Sequence, residues 1–273
     1  MKHKLQQKRL LTLLLLVAGG ILILFLLQRV WAHRNKAFVP DYPRVILTEH
    51  SDLETIFRQT GLGPSAAARL LEQGDLQTIL DAQDNFFAPP ESVCTPLLGW
   101  FTREDRLAEG AFIPVDLQPG DILVTLSTHT AGWRHGHAAL VIDRDTTLES
   151  ILLGTDSCLV STHRWYTYSG CAVLRVKGVT PELQQQVAQY SLEHLQGVPY
   201  RLCAGFLGPK APEPDAPQFG LHCSYLVWYA WNQFDYDLDS DGGRLVTSHD
   251  LLHSDQLEVV QICGIDPRLF LSQ

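Results

Sequence analysis

A cysteine and a histidine in this chain stand where they could act together as nucleophile and base. Cys223 comes just before the mostly apolar segment 224–231, which is typical of a buried helix, so the thiol is expected at the helix start. His137 comes just before the apolar segment 138–142, which is typical of a buried strand. A helix N-terminus favours thiolate, and an imidazole can accept and return its proton. These residue types therefore predict a cysteine nucleophile site, although either residue alone is more often part of a core.

A neutral imidazole at position 137 needs a polar partner to fix its tautomer. Glu149 is the candidate, because it lies twelve residues after His137 on the next strand of a predicted hairpin. Whether the two side chains meet depends on the loop length and on any bulge. Tyr200 follows a proline and a predicted helix end, so it could project into the cleft; a packed aromatic is the alternative.

Other histidines compete with His137 for the role of base. His135 lies two residues earlier and is the main competitor, whereas three others are weaker candidates: His129, His163 and His222. His135 and His137 could also bind a metal with His222 or Cys223, but no carboxylate completes the set at a recognisable spacing. The acidic segment 237–243 resembles half of a calcium loop without the final glutamate, so we expect a surface turn there. No metal and no cofactor are predicted.

The elements that must position these residues follow from capping and periodicity patterns. A helical block is expected at about 47–88, with a capping-box pattern at 51–54, and strands are expected from about residue 110 onwards. The predicted strands are 122–127, 138–142, 147–153, 159–161 and 172–176, and the later helices are 181–196 and 223–234.

The N-terminal end has the composition of a membrane segment. Residues 10–27 carry no charge, and fourteen of the eighteen are Leu, Ile, Val or Phe. As a helix they span about 27 Å, which approaches the thickness of a hydrocarbon core. Four basic residues precede the run and three follow it, which favours an N-terminus inside and the remainder outside. We expect an uncleaved signal-anchor; a cleaved signal peptide is the alternative.

Charge and cysteine content narrow the possible partners. The net charge is −9, and residues 1–36 hold seven basic and no acidic residues, so the remainder carries −9 − 7 = −16. Such a domain repels phosphate backbones, and nucleic-acid binding is not expected. The six cysteines form no CxxC pair, which gives no support to a zinc ribbon or a thioredoxin motif. Cys158 and Cys171 are the closest pair for a disulfide, or else two small buried hydrophobes.

Two segments together resemble the NlpC-type papain-like cysteine hydrolases. They are residues 197–200 (GVPY) and 219–227 (FGLHCSYLV), which are similar to the tyrosine and nucleophile segments of that family. The histidine strand, 137–141 (HAALV), precedes the cysteine here, whereas it follows the cysteine in ordinary members. That order is similar to the circularly permuted branch, which includes YiiX/YaeF-like proteins and, more distantly, lecithin–retinol acyltransferase-like enzymes. The resemblance covers roughly residues 115–260.

The resemblance implies that Cys223 is the nucleophile, His137 the base and Glu149 the third polar residue, with Tyr200 lining the substrate site. His222 departs from the family pattern, in which aspartate usually precedes the cysteine. The implied fold is α+β: a permuted papain-like domain at 111–273 with a central antiparallel, barrel-like sheet. It would follow a transmembrane segment at 1–36 and a helical region at 37–110.

The expected function is that of a membrane-anchored extracytoplasmic hydrolase that cleaves an amide bond, with cell-wall peptides as plausible substrates. Two alternatives stay open. One is an acyl-lipid thiol hydrolase or acyltransferase, and the other is a catalytically inactive binding or scaffold protein.

Overall fold

The computed structural model describes residues 2–32, 37–89, 91–98, 102–107, 114–130, 133–206, 208–216 and 219–271. In that part of the chain the α-helices are α1 (Lys2–Ala32), α2 (Leu53–Thr60), α3 (Pro64–Glu72), α4 (Leu76–Phe87), α5 (Pro181–His194), α6 (Cys223–Asn232) and α7 (Ser248–Leu252). The strands are β1 (Ser92–Leu98), β2 (Thr102–Leu107), β3 (Ile122–Thr125), β4 (Thr128–Thr130), β5 (His137–Asp143), β6 (Thr146–Glu149), β7 (Cys158–Ser161), β8 (Cys171–Val176) and β9 (Leu257–Cys263). Short 3-10 helices cover Thr162–Thr167 and Pro267–Leu269.

The main sheet is antiparallel and has the strand order β7-β6-β5-β3-β8-β9. The fold is therefore mixed α+β, as expected. The expectation of a barrel is wrong, because β7 and β9 lie at opposite edges of the sheet and none of the described strands closes it. Part of the outer edge of β9 hydrogen-bonds to another segment of the chain and not to β7.

That other segment is in the helical region. The turn between α2 and α3 hydrogen-bonds to β9 through Gly63 N to Val260 O (2.8 Å) and Ile262 N to Gly61 O (2.8 Å). A side chain at position 63 would overlap the carbonyl oxygen of Val259, so only glycine permits this approach. The helical region thus covers an edge strand that would otherwise expose unpaired backbone groups.

Each face of the main sheet packs into a separate core. Side chains of one parity, such as Val124 and Leu140, join α5 and α6 in the larger core. Side chains of the other parity, such as Leu123 and Val141, pack with Trp165 and other residues on the opposite face. This alternation follows from the period of two in a strand, and it gives β5 one face towards the nucleophile helix.

The helical region contains three short helices, as the capping patterns predict. The cap of α2 is Asp52 instead of the expected Ser51, because the Asp52 carboxylate accepts the N–H of Thr55 at 2.8 Å. These helices share a core of their own, which includes Ile56, Leu70 and Ile79.

A second, three-stranded sheet with the order β1-β2-β4 was not expected from the sequence. Strands therefore begin near residue 92, and not near residue 110. β1 and β2 lack a clean alternation of apolar and polar residues, since β2 is TREDRL and β1 contains a proline. The pattern rules for half-buried strands do not detect such segments.

None of the helices in the described part of the chain combines the length and the apolar character needed to cross a membrane. The expected transmembrane segment thus has no support from the structure. The boundaries expected at residues 36 and 110 fall within 33–36 and 108–113, which lie outside the described residues.

All six cysteines are free. Cys171 is fully buried, which fits the expectation of a small hydrophobe, whereas Cys158 is exposed on the edge strand β7. The suggested disulfide between these two residues does not form.

Candidate active site

Cys223 is the first residue of α6, as the sequence predicts. The segment before it is held on two sides: Leu221 N donates to Pro199 O (3.0 Å), and Arg201 N donates to Leu221 O (2.9 Å). The hydroxyl of Ser150 also donates to Leu221 O at 2.9 Å, which ties this segment to the end of β6. The thiol is therefore fixed at a helix N-terminus whose dipole favours negative charge.

His137 is the first residue of β5 and pairs with Thr125 of β3. The preceding Gly136 has a φ of 73°, and a methyl group there would lie 2.6 Å from Thr125 O and 2.9 Å from the Ser248 side chain. This left-handed turn therefore requires glycine. It directs the chain into β5 so that His137 enters the buried site.

The structure brings His137 and Glu149 together. Nε2 of His137 lies 2.7 Å from Oε2 of Glu149, and the glutamate side chain is completely buried. The strand pairing between β5 and β6 is shifted between Val141 and Asp143. The register after this irregularity places residues 137 and 149 within reach, which the sequence alone left open.

Glu149 receives hydrogen bonds from three donors. Besides His137, the indole N–H of Trp165 and the hydroxyl of Thr147 each donate to its Oε1 at 2.8 Å. An ionised carboxylate can accept at both oxygens in this way. Burial alone would raise the pKa of Glu149, but the hydrogen bond and charge of His137, together with the charge of Arg164, keep it below its ordinary value.

This arrangement fixes the tautomer of the imidazole. Because the Glu149 carboxylate can only accept, Nε2 of His137 carries a proton and Nδ1 is the nitrogen left to exchange a proton with the thiol. The indole of Trp165 stacks on the imidazole, with ring centroids 5.5 Å apart and planes 14° apart. Stacking on an aromatic face also favours the protonated ring.

The electrostatics favour a thiolate and an imidazolium at neutral pH. Burial would raise the pKa of the Cys223 thiol, but its hydrogen bond to His137, with a further contribution from His222, holds that pKa well below the ordinary value. Burial likewise opposes the charged form of His137, but hydrogen bonds to Cys223 and Glu149 raise its pKa to about 9. Each charge of the pair thus stabilises the other.

His135 is close to the same site but has no free nitrogen for catalysis. Its Nδ1 lies 2.8 Å from the carbonyl oxygen of Gly136 and its Nε2 lies 2.9 Å from Oγ1 of Thr130. The carbonyl requires a proton on Nδ1, so Nε2 accepts from the hydroxyl. Burial lowers the pKa of His135, in spite of the nearby Cys223. A neutral, fully paired ring is thus favoured here.

The remaining candidates take other positions. His163 is exposed in a 3-10 helix, and His129 lies in the second sheet. His222 is the N-cap of α6, where its Nδ1 accepts the N–H of Tyr225 at 3.4 Å. Tyr200 is half-buried beside Leu221, and its pKa is raised first by burial and then by the nearby Cys223. This position is compatible with a residue that lines the substrate site.

Behind the site, a charged network holds the 3-10 helix that carries Trp165. Glu104 of β2 is buried and accepts from Arg164 Nη2 (2.7 Å), Tyr168 Oη (2.7 Å) and Arg106 Nε (3.0 Å). Arg164 and Tyr168 flank Trp165, and the Tyr168 ring packs edge-on against the indole. The unexpected second sheet therefore supports the partner of Glu149.

Sequence reasoning did not identify Trp165, Thr147 or Glu104 as part of this arrangement. Thr147 precedes Glu149 by two residues on one strand face, so strand alternation could have found it. Trp165 and Glu104 come from distant segments, and no local pattern in the sequence indicates either.

The charged pair predicts unusual reactivity for Cys223. Near neutral pH it should react with iodoacetamide faster than Cys158 and Cys203, because the thiolate is the reactive form. This order is the reverse of exposure, since Cys223 is half-buried and the other two cysteines are exposed. His137→Ala should slow this labelling, and the matched control His135→Ala should not. Peptide mapping of the labelled full chain gives the rates. Labelling in order of exposure, with no effect of His137→Ala, would contradict a Cys–His pair.

Comparisons with known proteins give one structural match. No protein-family model matches the chain, and neither does any curated protein. Among solved structures, the chain is similar to the metalloprotein YiiX from Escherichia coli O157:H7, with 17% sequence identity and a TM-score of 0.40. The match covers 52% of this chain and 96% of that one. A likeness of this degree adds nothing to the chemistry, which rests on the site itself.

Proposed function

We propose that this protein is a cysteine hydrolase that cleaves an amide bond through an acyl-enzyme at Cys223. The observation that carries the proposal is the fully satisfied Glu149 carboxylate, whose Oε2 lies 2.7 Å from Nε2 of His137, which leaves Nδ1 for the thiol. Burial of a charged carboxylate costs free energy unless hydrogen-bond donors that are held in place compensate for the lost water. An arrangement of this kind is expected where a histidine must cycle between two protonation states.

In the first half of the reaction, the Cys223 thiolate attacks the carbonyl carbon of the amide. The carbonyl π electrons move to oxygen, and the oxyanion faces backbone N–H groups at the start of α6. The imidazolium of His137 then gives its Nδ1 proton to the amide nitrogen. The C–N bond breaks, the amine leaves, and a thioester remains on Cys223.

In the second half, the now neutral His137 accepts a proton from water at Nδ1. The hydroxide formed attacks the thioester carbon, and the Cys223 thiolate leaves as the acid is released. Glu149 stays ionised throughout, since it stabilises the imidazolium and never needs to take the proton itself.

Cell-wall peptides are the proposed substrates. The support is the sequence resemblance to NlpC-type hydrolases, together with the net charge of −16 outside residues 1–36, which disfavours polyanionic substrates. Tyr200 would contact the substrate from the segment beside Leu221.

A second candidate, an acyl-lipid hydrolase or acyltransferase, is favoured by a different observation. Several large apolar side chains are strongly exposed in loops that adjoin the site residues: Trp133, Leu153, Leu202 and Phe206. Exposed apolar side chains near a site suit apolar ligands or a lipid surface. The same cysteine and histidine would then form a fatty-acyl thioester.

Trapping of the acyl-enzyme separates these functions. The full chain is incubated with cell-wall stem peptides or with phospholipid vesicles and quenched in acid. The mass of the intact protein is then measured by mass spectrometry. We expect a peptidyl adduct that is absent in Cys223→Ala, because the sulfur carries the acyl group.

Turnover should fall about a hundredfold or more in His137→Ala, the scale of a general acid–base group, and remain in His135→Ala. A fatty-acyl adduct would assign the second candidate. The absence of any adduct, with Cys223 still reactive, would indicate a binding or scaffold protein.

We also propose that the enzyme is membrane-anchored with its domain outside, which rests on the sequence of residues 10–27 and on the basic residues that flank it. The intact chain should stay in the membrane fraction after a carbonate wash, and external protease should reach the part beyond residue 37. A soluble mature form that begins near His33 would show a cleaved signal peptide instead.

A further inference from the structure

The second sheet carries a cluster of side chains that the proposed reaction does not use. Sγ of Cys94 lies 3.9 Å from Nε2 of His129, and that nitrogen lies 3.5 Å from Oδ1 of Asp105. One ligand-type atom from each residue lies within 4.8 Å of the other two. His129 and Asp105 are buried, and Cys94 is half-buried.

The strand register explains why these residues meet. Cys94 of β1 lies directly opposite Asp105 of β2, and His129 of β4 lies directly opposite Arg103 of β2. Residues opposite one another share a face of the sheet, and so do residues 103 and 105 of the same strand. The three strands therefore each contribute one side chain to the same face, although the residues are up to 35 positions apart in the sequence.

We propose that Cys94, Asp105 and His129 bind a zinc ion. A thiolate, an imidazole nitrogen and a carboxylate oxygen are the donors that zinc takes in proteins, whereas magnesium and calcium prefer oxygen ligands alone. In a tetrahedral site with bonds of about 2.0–2.3 Å, neighbouring donor atoms lie about 3.3–3.8 Å apart. The observed separations of 3.5 and 3.9 Å are close to that range.

The neighbouring guanidinium groups leave the three ligand atoms within 4.8 Å of one another. Arg134 Nη2 donates to Oδ2 of Asp105 at 2.8 Å, so Oδ1 remains directed towards His129. Arg103 Nη1 lies 3.9 Å from the Cys94 sulfur and can donate to a metal-bound thiolate. These two guanidinium charges oppose a cation, while the thiolate and the carboxylate supply the two negative charges that neutralise zinc.

The described polar contacts of the His129 ring are made by Nε2, which faces Cys94 and Asp105. Its Nδ1 is buried and has no hydrogen-bond partner among the residues that the structure describes. A metal at Nε2 would therefore supply the strongest contact of this ring. With three protein ligands, the fourth zinc position is open to water or another small ligand.

The proposed ion would join β1, β2 and β4 next to the turn that leads to His137. β4 supports this turn directly, since Gly136 N donates to Thr128 O at 3.0 Å. Zinc would therefore brace the second sheet, which also carries Glu104. The proposal is independent of the chemistry at Cys223.

Metal analysis of the full chain tests the proposal. Protein from zinc-supplemented cells, purified without chelator, should contain about one zinc per chain. Replacement by Co²⁺ should give the thiolate-to-cobalt charge-transfer band and the intense visible bands of a tetrahedral site. Cys94→Ser should lose the charge-transfer band. Asp105→Asn and His129→Ala should each weaken zinc binding more than tenfold, because even residues that only hydrogen-bond to metal ligands contribute about that much to affinity.

Two controls separate this site from the active site. Cys223→Ala should bind zinc like the wild type, and so should Cys158→Ser, which removes an exposed cysteine outside both sites. Retention of zinc in Cys94→Ser with loss in Cys223→Ala would place the metal on the reactive thiol and overturn the proposal.

X-ray absorption of the zinc-loaded wild type avoids any dependence on variants that fail to fold. One sulfur scatterer with nitrogen or oxygen neighbours is expected. A shell without sulfur would overturn the proposal, and so would folded wild-type protein that takes up neither zinc nor cobalt.

Discussion

The candidate site depends on one buried negative charge. Glu149 has no solvent exposure, yet it remains ionised because three donors surround its two oxygens. An ionised carboxylate without these partners would strongly destabilise the folded protein, because burial of an unpaired charge costs free energy. The same carboxylate fixes the proton on Nε2 of His137, raises the pKa of that imidazole and, through it, lowers the pKa of Cys223. A residue on β6 therefore contributes to the reactivity of a cysteine on α6.

Part of the support for this charge comes from residues before about 110. β2 supplies Glu104, which accepts hydrogen bonds from Arg164 and Tyr168, before and after Trp165 in the chain, and Trp165 in turn donates to Glu149. The helical region hydrogen-bonds to the outer edge of β9, the last strand of the open main sheet. We infer that residues before about 110 help to hold the site residues in position, and that a zinc ion in the second sheet would strengthen this support.

Much of the site follows from the sequence, and the reasons are local. The helix start at Cys223 and the strand start at His137 are determined by a few adjacent residues, and Glu149 lies on the neighbouring strand of the same hairpin. Long-range pairing is what the sequence does not reveal. β1 and β2 are too polar to be recognised as strands, so neither Glu104 nor the cluster of Cys94, Asp105 and His129 could be placed. The expected barrel was wrong for a related reason, because no local pattern indicates that Gly63 reaches the edge of β9.

The protonation state of His137 tests the central claim most directly. In the full chain with ¹⁵N-labelled histidine, NMR near pH 7 should show both nitrogens of His137 protonated, with the imidazolium titrating at about 9. Glu149→Gln removes the negative charge and one acceptor oxygen, so the same titration should move to lower pH. A neutral His137 at pH 7 in the wild type, or a titration that Glu149→Gln leaves unchanged, would contradict the account.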